Sequence, residues 1–223
     1  MTSKRANPQQ SASPSGPAAI LRVGWLLLGF LALLLSARAA EPKSIIFFGD
    51  SITAGLGVDP DEAYPTLIQR KLDATGQAWR VVNAGLSGET TAGGLRRLDW
   101  ILRQPADIFV IELGGNDGLR GIATENSRAN LEAMITRIRT KYPHVTIILA
   151  GMQLPTNLGP DYTRQFAAMF PELAEKYHTA LIPFLLEGVG GVPGLNQADG
   201  IHPTAEGHKI LADTVWQTLH KLL

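Results

Sequence analysis

Cysteine is missing from all 223 residues. Its absence excludes disulfides, thiolate nucleophiles and lipid attachment through Cys. It leaves the compartment open, because exported proteins also fold without disulfides. Neither sign of charge is in excess: 20 Lys and Arg face 20 Asp and Glu. A neutral total gives no electrostatic case for a nucleic-acid partner. Several signatures are absent too. Gly85–Gly88 lacks both the Gly-x-Gly-x-x-Gly pattern and a Walker lysine, so it is not a nucleotide loop. No Gly-x-Ser-x-Gly surrounds Ser51, which excludes the strained nucleophile elbow of α/β-hydrolases. His202 and His208 belong to no ligand set of recognised spacing, so neither metal nor cofactor is expected. Internal repeats and signs of a second folded domain are also lacking.

Among the apolar runs, the N-terminal block Val23–Leu35 (VGWLLLGFLALLL) stands apart. It is short for a spanning helix, which needs about 20 apolar residues. Lys4, Arg5 and Arg22 precede it, and Ala37-Arg38-Ala39 comes after it as a small-x-small cleavage pattern. Residues 1–39 therefore read as a signal peptide and 40–223 as the exported domain. The alternative is an uncleaved membrane anchor, since Arg38 adjoins the cut. Residues 6–20 are rich in Pro, Ser and Ala and are expected to be disordered. The leader holds four basic residues (4, 5, 22, 38) and no acidic one. Its removal leaves 16 basic against 20 acidic residues, a net charge of −4.

Beyond the leader, strand-length apolar runs alternate with amphipathic stretches. Strands are expected at Ser44–Phe48, Arg80–Asn83, Asp107–Leu113, Thr146–Ala150 and Ala180–Pro183. Helices are expected at Tyr64–Ala74, Ala92–Gln104, Ser127–Lys141, Arg164–Tyr177 and Thr204–Leu223. Such alternation predicts an α/β fold, with parallel strands joined by right-handed crossovers and helices on both faces. Runs such as FVIEL and TIILA suit strands covered on both sides.

Four polar motifs punctuate this pattern. Gly49-Asp50-Ser51 follows the first strand, Asn83–Gly88 (NAGLSG) the second, and Gly114-Gly115-Asn116-Asp117 the third. Asp199-Gly200-Ile201-His202-Pro203 precedes the last helix. Three of the four fall at carboxyl ends of expected parallel strands, the edge where open α/β sheets bind ligands. Any one of them alone reads as a turn. Their convergence on one rim makes Ser51 a candidate nucleophile. A serine hydroxyl needs a base, and His202 is the best placed. Asp199, three residues earlier, is close enough to orient the imidazole. The backbone N–H groups of Ser51 and Gly88 and the side-chain amide of Asn116 are candidate oxyanion donors. Glycine at 88 would allow close approach of the backbone to a reacting group. Asp50 and Asp117 compete as the acid, but read as loop-organising carboxylates. His144, His178, His208 and His220 read as ordinary loop, helix-surface or helix-end residues.

GDSITAG, NAGLSGET, LGGNDG and DGIHP, in this order, resemble the four blocks of the SGNH (GDSL-type) hydrolase superfamily. The likeness runs from about Ile45 to the C-terminus. ELGGNDGLRG and DGIHP are especially similar to the bacterial multifunctional thioesterase, lysophospholipase and arylesterase subgroup. The resemblance implies Ser51 as nucleophile, His202 as base and Asp199 as acid, with Ser51, Gly88 and Asn116 as the oxyanion hole. It implies a flavodoxin-like three-layer sandwich with a five-stranded parallel sheet, and an exported, usually periplasmic enzyme. Ile52, where many members carry Leu, is a conservative departure, and the leader is longer than in relatives. Asp117–Ile122 resembles a mobile substrate loop, and Met152–Asp161 follows the fourth strand. Asp117, Gly118, Leu119, Leu154 and Pro155 are therefore expected at the substrate.

Together these readings predict a cofactor-free serine esterase acting through an acyl-enzyme, and the subgroup resemblance implies lysophospholipid, acyl or aryl esters and thioesters as its substrates. It is expected to be a monomer with at most transient membrane-surface contact. A carbohydrate O-acetyl esterase on the same triad is the alternative. A non-catalytic envelope-binding module is the alternative of another class.

Overall fold

The computed structural model describes Met1 and residues 42–223. The signal peptide, its anchor alternative and the expected disorder over 6–20 lie outside the described residues. Among the described residues no helix is long and apolar enough to cross a membrane.

Five strands form one parallel sheet: β1 (Lys43–Gly49), β2 (Trp79–Gly85), β3 (Ile108–Glu112), β4 (Thr146–Ala150) and β5 (Ala180–Ile182). Their order is β2-β1-β3-β4-β5. Between and after them run α1 (Ser51–Ala54), α2 (Tyr64–Ala74), α3 (Thr91–Ile101), α4 (Gly115–Leu119), α5 (Thr124–Lys141), α6 (Pro160–Tyr177) and α7 (Ala205–Leu219). Helix α2 packs on α7, while α3 packs on α5 and α5 on α6, giving the two outer layers of the expected sandwich. Apolar strands covered on both faces form the core: Ile45–Phe48 and Ile148–Leu149 are wholly buried.

The long helices begin and end for local reasons. Tyr64, Ile68 and Leu72 make the buried stripe of α2, and Pro65 sits in its first turn. Thr90 and Thr204 cap α3 and α7, accepting from the N–H groups of Gly93 and Gly207. Helix α6 starts at Pro160, four residues before the expected Arg164, because the proline opens the first turn. Helix α7 stops at Leu219 rather than Leu223.

Two short helices, α1 and α4, occupy stretches expected to be loops. Each is too short to show an apolar stripe. In α1 the Asp50 carboxylate accepts from the Ile52 N–H at 3.0 Å, and Gly55 at φ 76° ends the turn.

Register decides where the site forms. Gly49 of β1 lies opposite Gly85 of β2 and opposite Glu112 of β3. Three motif-bearing segments therefore leave the sheet at one level, at its carboxyl edge.

Candidate active site

Ser51 is the first residue of α1, directly after β1 and the Asp50 cap. Its residue surface is 6% exposed. The Ser51 Oγ lies 2.8 Å from Nε2 of His202, which comes from the loop before α7. On the other side of the ring, Nδ1 lies 2.6 Å from Asp199 Oδ2. Asp199 Oδ1 accepts from the N–H groups of Ile201 and His202, at 2.9 and 3.0 Å. The contact with the imidazole and these two backbone donors lower the Asp199 pKa to about 2. The carboxylate is therefore charged near neutrality and takes the Nδ1–H. That leaves the Nε2 lone pair facing the Ser51 hydroxyl.

Asn116 is the second residue of α4, and its Nδ2 donates to Asp50 Oδ2 at 3.0 Å. Ser51, Asn116 and His202 line one cavity of about 580 Å³. Gly88 lies in the turn after β2 and is not among the residues lining that cavity. Its carbonyl accepts from Arg120 at 3.1 Å. A Cβ there would meet that guanidinium at 3.7 Å. The backbone at Gly88 has a φ of 77°, which favours glycine.

The expected substrate residues divide. Leu119, Leu154 and Pro155 line the cavity. Asp117 and Gly118 are not among its lining residues. The Asp117 carboxylate is buried and accepts from Thr91 N, Thr91 Oγ1 and Ser127 Oγ at 2.8, 2.5 and 3.0 Å. It ties α4 to the starts of α3 and α5, the loop-organising role also read from sequence. Gly118 packs beneath Leu154, whose Cδ2 would lie 2.3 Å from an added Cβ. Sequence reasoning missed the opposite wall, where Phe184, Leu186, Gly190 and Gly191 line the cavity. The signal was the apolar, glycine-rich FLLEGVGG stretch between β5 and the His202 block. With Ile52 and Met152 this wall makes the cavity largely apolar.

Two buried ionisable residues also escaped the sequence. His208, expected on a helix surface, is wholly buried. Its Nδ1 accepts from the Tyr64 N–H at 3.3 Å, and its ring stacks on that of Tyr64. The hydrophobic face of α7 carries it inward, and burial lowers its pKa to about 4, so it is neutral. Glu112 ends β3 and is also wholly buried. Burial and the neighbouring Asp50 hold its pKa well above the carboxylate range. An acid in an otherwise apolar central strand was the available signal. Among the described residues, no three His, Cys, Asp or Glu side chains group as a metal site.

The sequence pattern of the GDSL-like Lipase/Acylhydrolase family matches residues 47–210. Esterase TesA of Pseudomonas aeruginosa is 46% identical over 200 residues, which cover 89% of this chain and 98% of that protein. Thioesterase 1/protease 1/lysophospholipase L1 of Escherichia coli is 34% identical, covering 89% and 94%. Among solved structures, that of TesA superposes with a TM-score of 0.78 at 45% identity, covering 81% of this chain and all of that one. The esterase EstA from Pseudoalteromonas sp., inhibited by monoethylphosphonate, gives 0.76 at 31% identity, covering 81% and 98%. Motif order, sheet topology and matches of this extent lead to one conclusion: the chain belongs to the GDSL-like lipase/acylhydrolase family and is an ester hydrolase.

Proposed function

We propose that this esterase hydrolyses lysophospholipid, acyl and aryl esters and thioesters through an acyl-enzyme on Ser51. The observation that carries the reading is the line from Asp199 through His202 to the Ser51 Oγ, at 2.6 and 2.8 Å, opening on a largely apolar cavity. His202 Nε2 takes the hydroxyl proton as Oγ attacks the carbonyl carbon. The oxyanion is held by the N–H groups of Ser51 and Gly88 and by the Asn116 amide. Collapse breaks the bond to the leaving oxygen or sulfur, which receives the proton from His202. Water, deprotonated by the same nitrogen, then attacks the acyl-enzyme, and the acid departs with Ser51 restored. Asp199 stays ionised throughout and stabilises the imidazolium.

The apolar walls favour an acyl chain over acetate alone, so the carbohydrate O-acetyl esterase is the second reading. A series of p-nitrophenyl esters from acetate to palmitate tests both, with Ser51→Ala alongside. Ser51-dependent hydrolysis with an optimum beyond acetate supports the first reading. An acetate optimum supports the second, and undiminished activity in Ser51→Ala contradicts both.

We further infer that residues 1–39 act as a signal peptide and 40–223 as a monomeric periplasmic domain. The basic, apolar and small-residue order of the leader supports export. Exposed Leu119 and Ile201 at the cavity mouth suit transient contact with a lipid surface. An exported product whose mass begins at Ala40 is the expected result. Full-length protein in the membrane fraction would contradict it.

A further inference from the structure

Beneath Ser51 lies an acid that the hydrolytic steps do not use. Glu112 Oε2 accepts from the Asp50 N–H at 3.1 Å and from Thr53 Oγ1 at 2.7 Å. Thr53 in turn accepts from the buried Tyr64 hydroxyl at 2.8 Å. Asp50 and Thr53 flank Ser51 in the chain. The other oxygen, Oε1, is buried, and among the described residues no donor reaches it. An ionised carboxylate would leave a charged atom bare in the core. Burial and the neighbouring Asp50 accordingly raise the Glu112 pKa well above its ordinary value.

Burial raises both carboxyls, but Asp50 is drawn back down by the Ile52 N–H, Glu112, Asn116 and the charge of His202. One Asp50 oxygen caps α1 and the other receives Nδ2 of Asn116. The Asn116 amide is planar and carries two hydrogens, so fixing one of them sets the direction of the other. The backbone leaves room for this arrangement. A Cβ on Gly49 would fall 2.4 Å from Glu112 Oε2 and 2.1 Å from Thr53 Oγ1.

We propose that Glu112 is a positioning residue of the oxyanion site: by accepting from the Asp50 N–H and the Thr53 hydroxyl it holds the turn whose Asp50 carboxylate aims the Asn116 amide at the reacting carbonyl. Glu112 touches neither substrate nor the reacting atoms. The proposal rests on the reading of Asn116 as an oxyanion donor and gives β3 a direct part in setting it.

The test is steady-state kinetics on one p-nitrophenyl ester with the wild type, Ser51→Ala, Asn116→Ala, Glu112→Ala, Glu112→Gln and the double variant Glu112→Ala/Asn116→Ala. Removing the Asn116 donor should lower kcat by about 10²–10³. Glu112→Ala should lower kcat by about 10- to 100-fold through misplacement of that donor, with KM near the wild-type value. Glu112→Gln keeps an oxygen that accepts from the Asp50 N–H and the Thr53 hydroxyl, so it should return kcat close to wild type. In the Asn116→Ala background, Glu112→Ala should cost little more, because the group it positions is gone.

A folded Glu112→Gln as slow as Glu112→Ala overturns the proposal. So does an additive double variant, a wild-type kcat in Glu112→Ala, or a harmless Asn116→Ala. If Glu112→Ala fails to fold, Glu112→Met fills the space without the accepting oxygen and takes its place. Activity that persists in Ser51→Ala removes the underlying reading instead, whereas a dead Ser51→Ala beside an indifferent Glu112→Ala removes only the positioning role.

Discussion

Two carboxyl groups near Ser51 are shifted in opposite directions. The Asp199 side chain is 44% exposed, sits on a loop and is held ionised by its imidazole partner and two backbone donors. Glu112 is buried at a strand end, against a second carboxyl, and both effects push its pKa well above its ordinary value. The same chemical group thus has its charged form favoured on one side of the nucleophile and disfavoured beneath it. Environment decides between these states, through solvation and the count of donors. The difference also separates the site mechanically. Ser51 and Asn116 stand on the sheet through buried hydrogen bonds, while His202 and Asp199 arrive on an exposed segment stiffened by Asp199's own bonds to residues 201 and 202.

The largest effects expected are from Ser51→Ala on the sheet side and His202→Ala on the loop side, each of which should reduce kcat on p-nitrophenyl esters by about 10⁴–10⁶-fold. Asp199→Asn should follow at about 10⁴-fold, because an amide neither fixes the tautomer nor stabilises the imidazolium. On the sheet side, Gly49→Ala should destabilise the fold by about 1–3 kcal/mol in denaturant titrations, since its Cβ overlaps Thr53 and Glu112.

Stability against pH sharpens the comparison. Asp199 has a folded pKa near 2, below its ordinary 3.8, so its contribution is present above 3.8 and is lost as pH falls towards 2. Its exposure keeps that contribution small. Glu112 has the opposite sign. Its folded pKa is raised, so its contribution is full below 4.5 and is lost as pH rises through the folded value. Thermal melts across pH should therefore show a weaker decline above pH 4.5 in Glu112→Gln than in wild type. His208 adds an acid-side loss. Its folded pKa is near 4 against 6.5, so the unfolded chain takes up its proton first, and stability falls between pH 6.5 and 4. His208→Asn should flatten that window.

The sheet and its long helices were legible because their signals are repetitive. Tyr64–Ala74 and Thr146–Ala150 match the expected spans residue for residue, each with an apolar pattern several positions long. Ser51, Asn116, Asp199 and His202 stood out as polar breaks after such patterns. The helices α1 and α4 did not, because one turn leaves no periodicity and their caps depend on contacts between distant strands. Glu112 and His208 were passed over for a related reason. Whether a lone ionisable residue is buried depends on tertiary packing, and neighbours of Glu112 such as Asp50 and Tyr64 lie far away in the chain.

The central claim is that Ser51 is the nucleophile, activated by His202. Its most direct test is the mass of the Ser51 peptide after treatment with an activated ethylphosphonate ester, which turnover-competent serines attack. The account predicts one phosphonyl group, on Ser51, with stoichiometric loss of esterase activity. An unmodified Ser51 in inactivated enzyme, or modification at another residue, would contradict it.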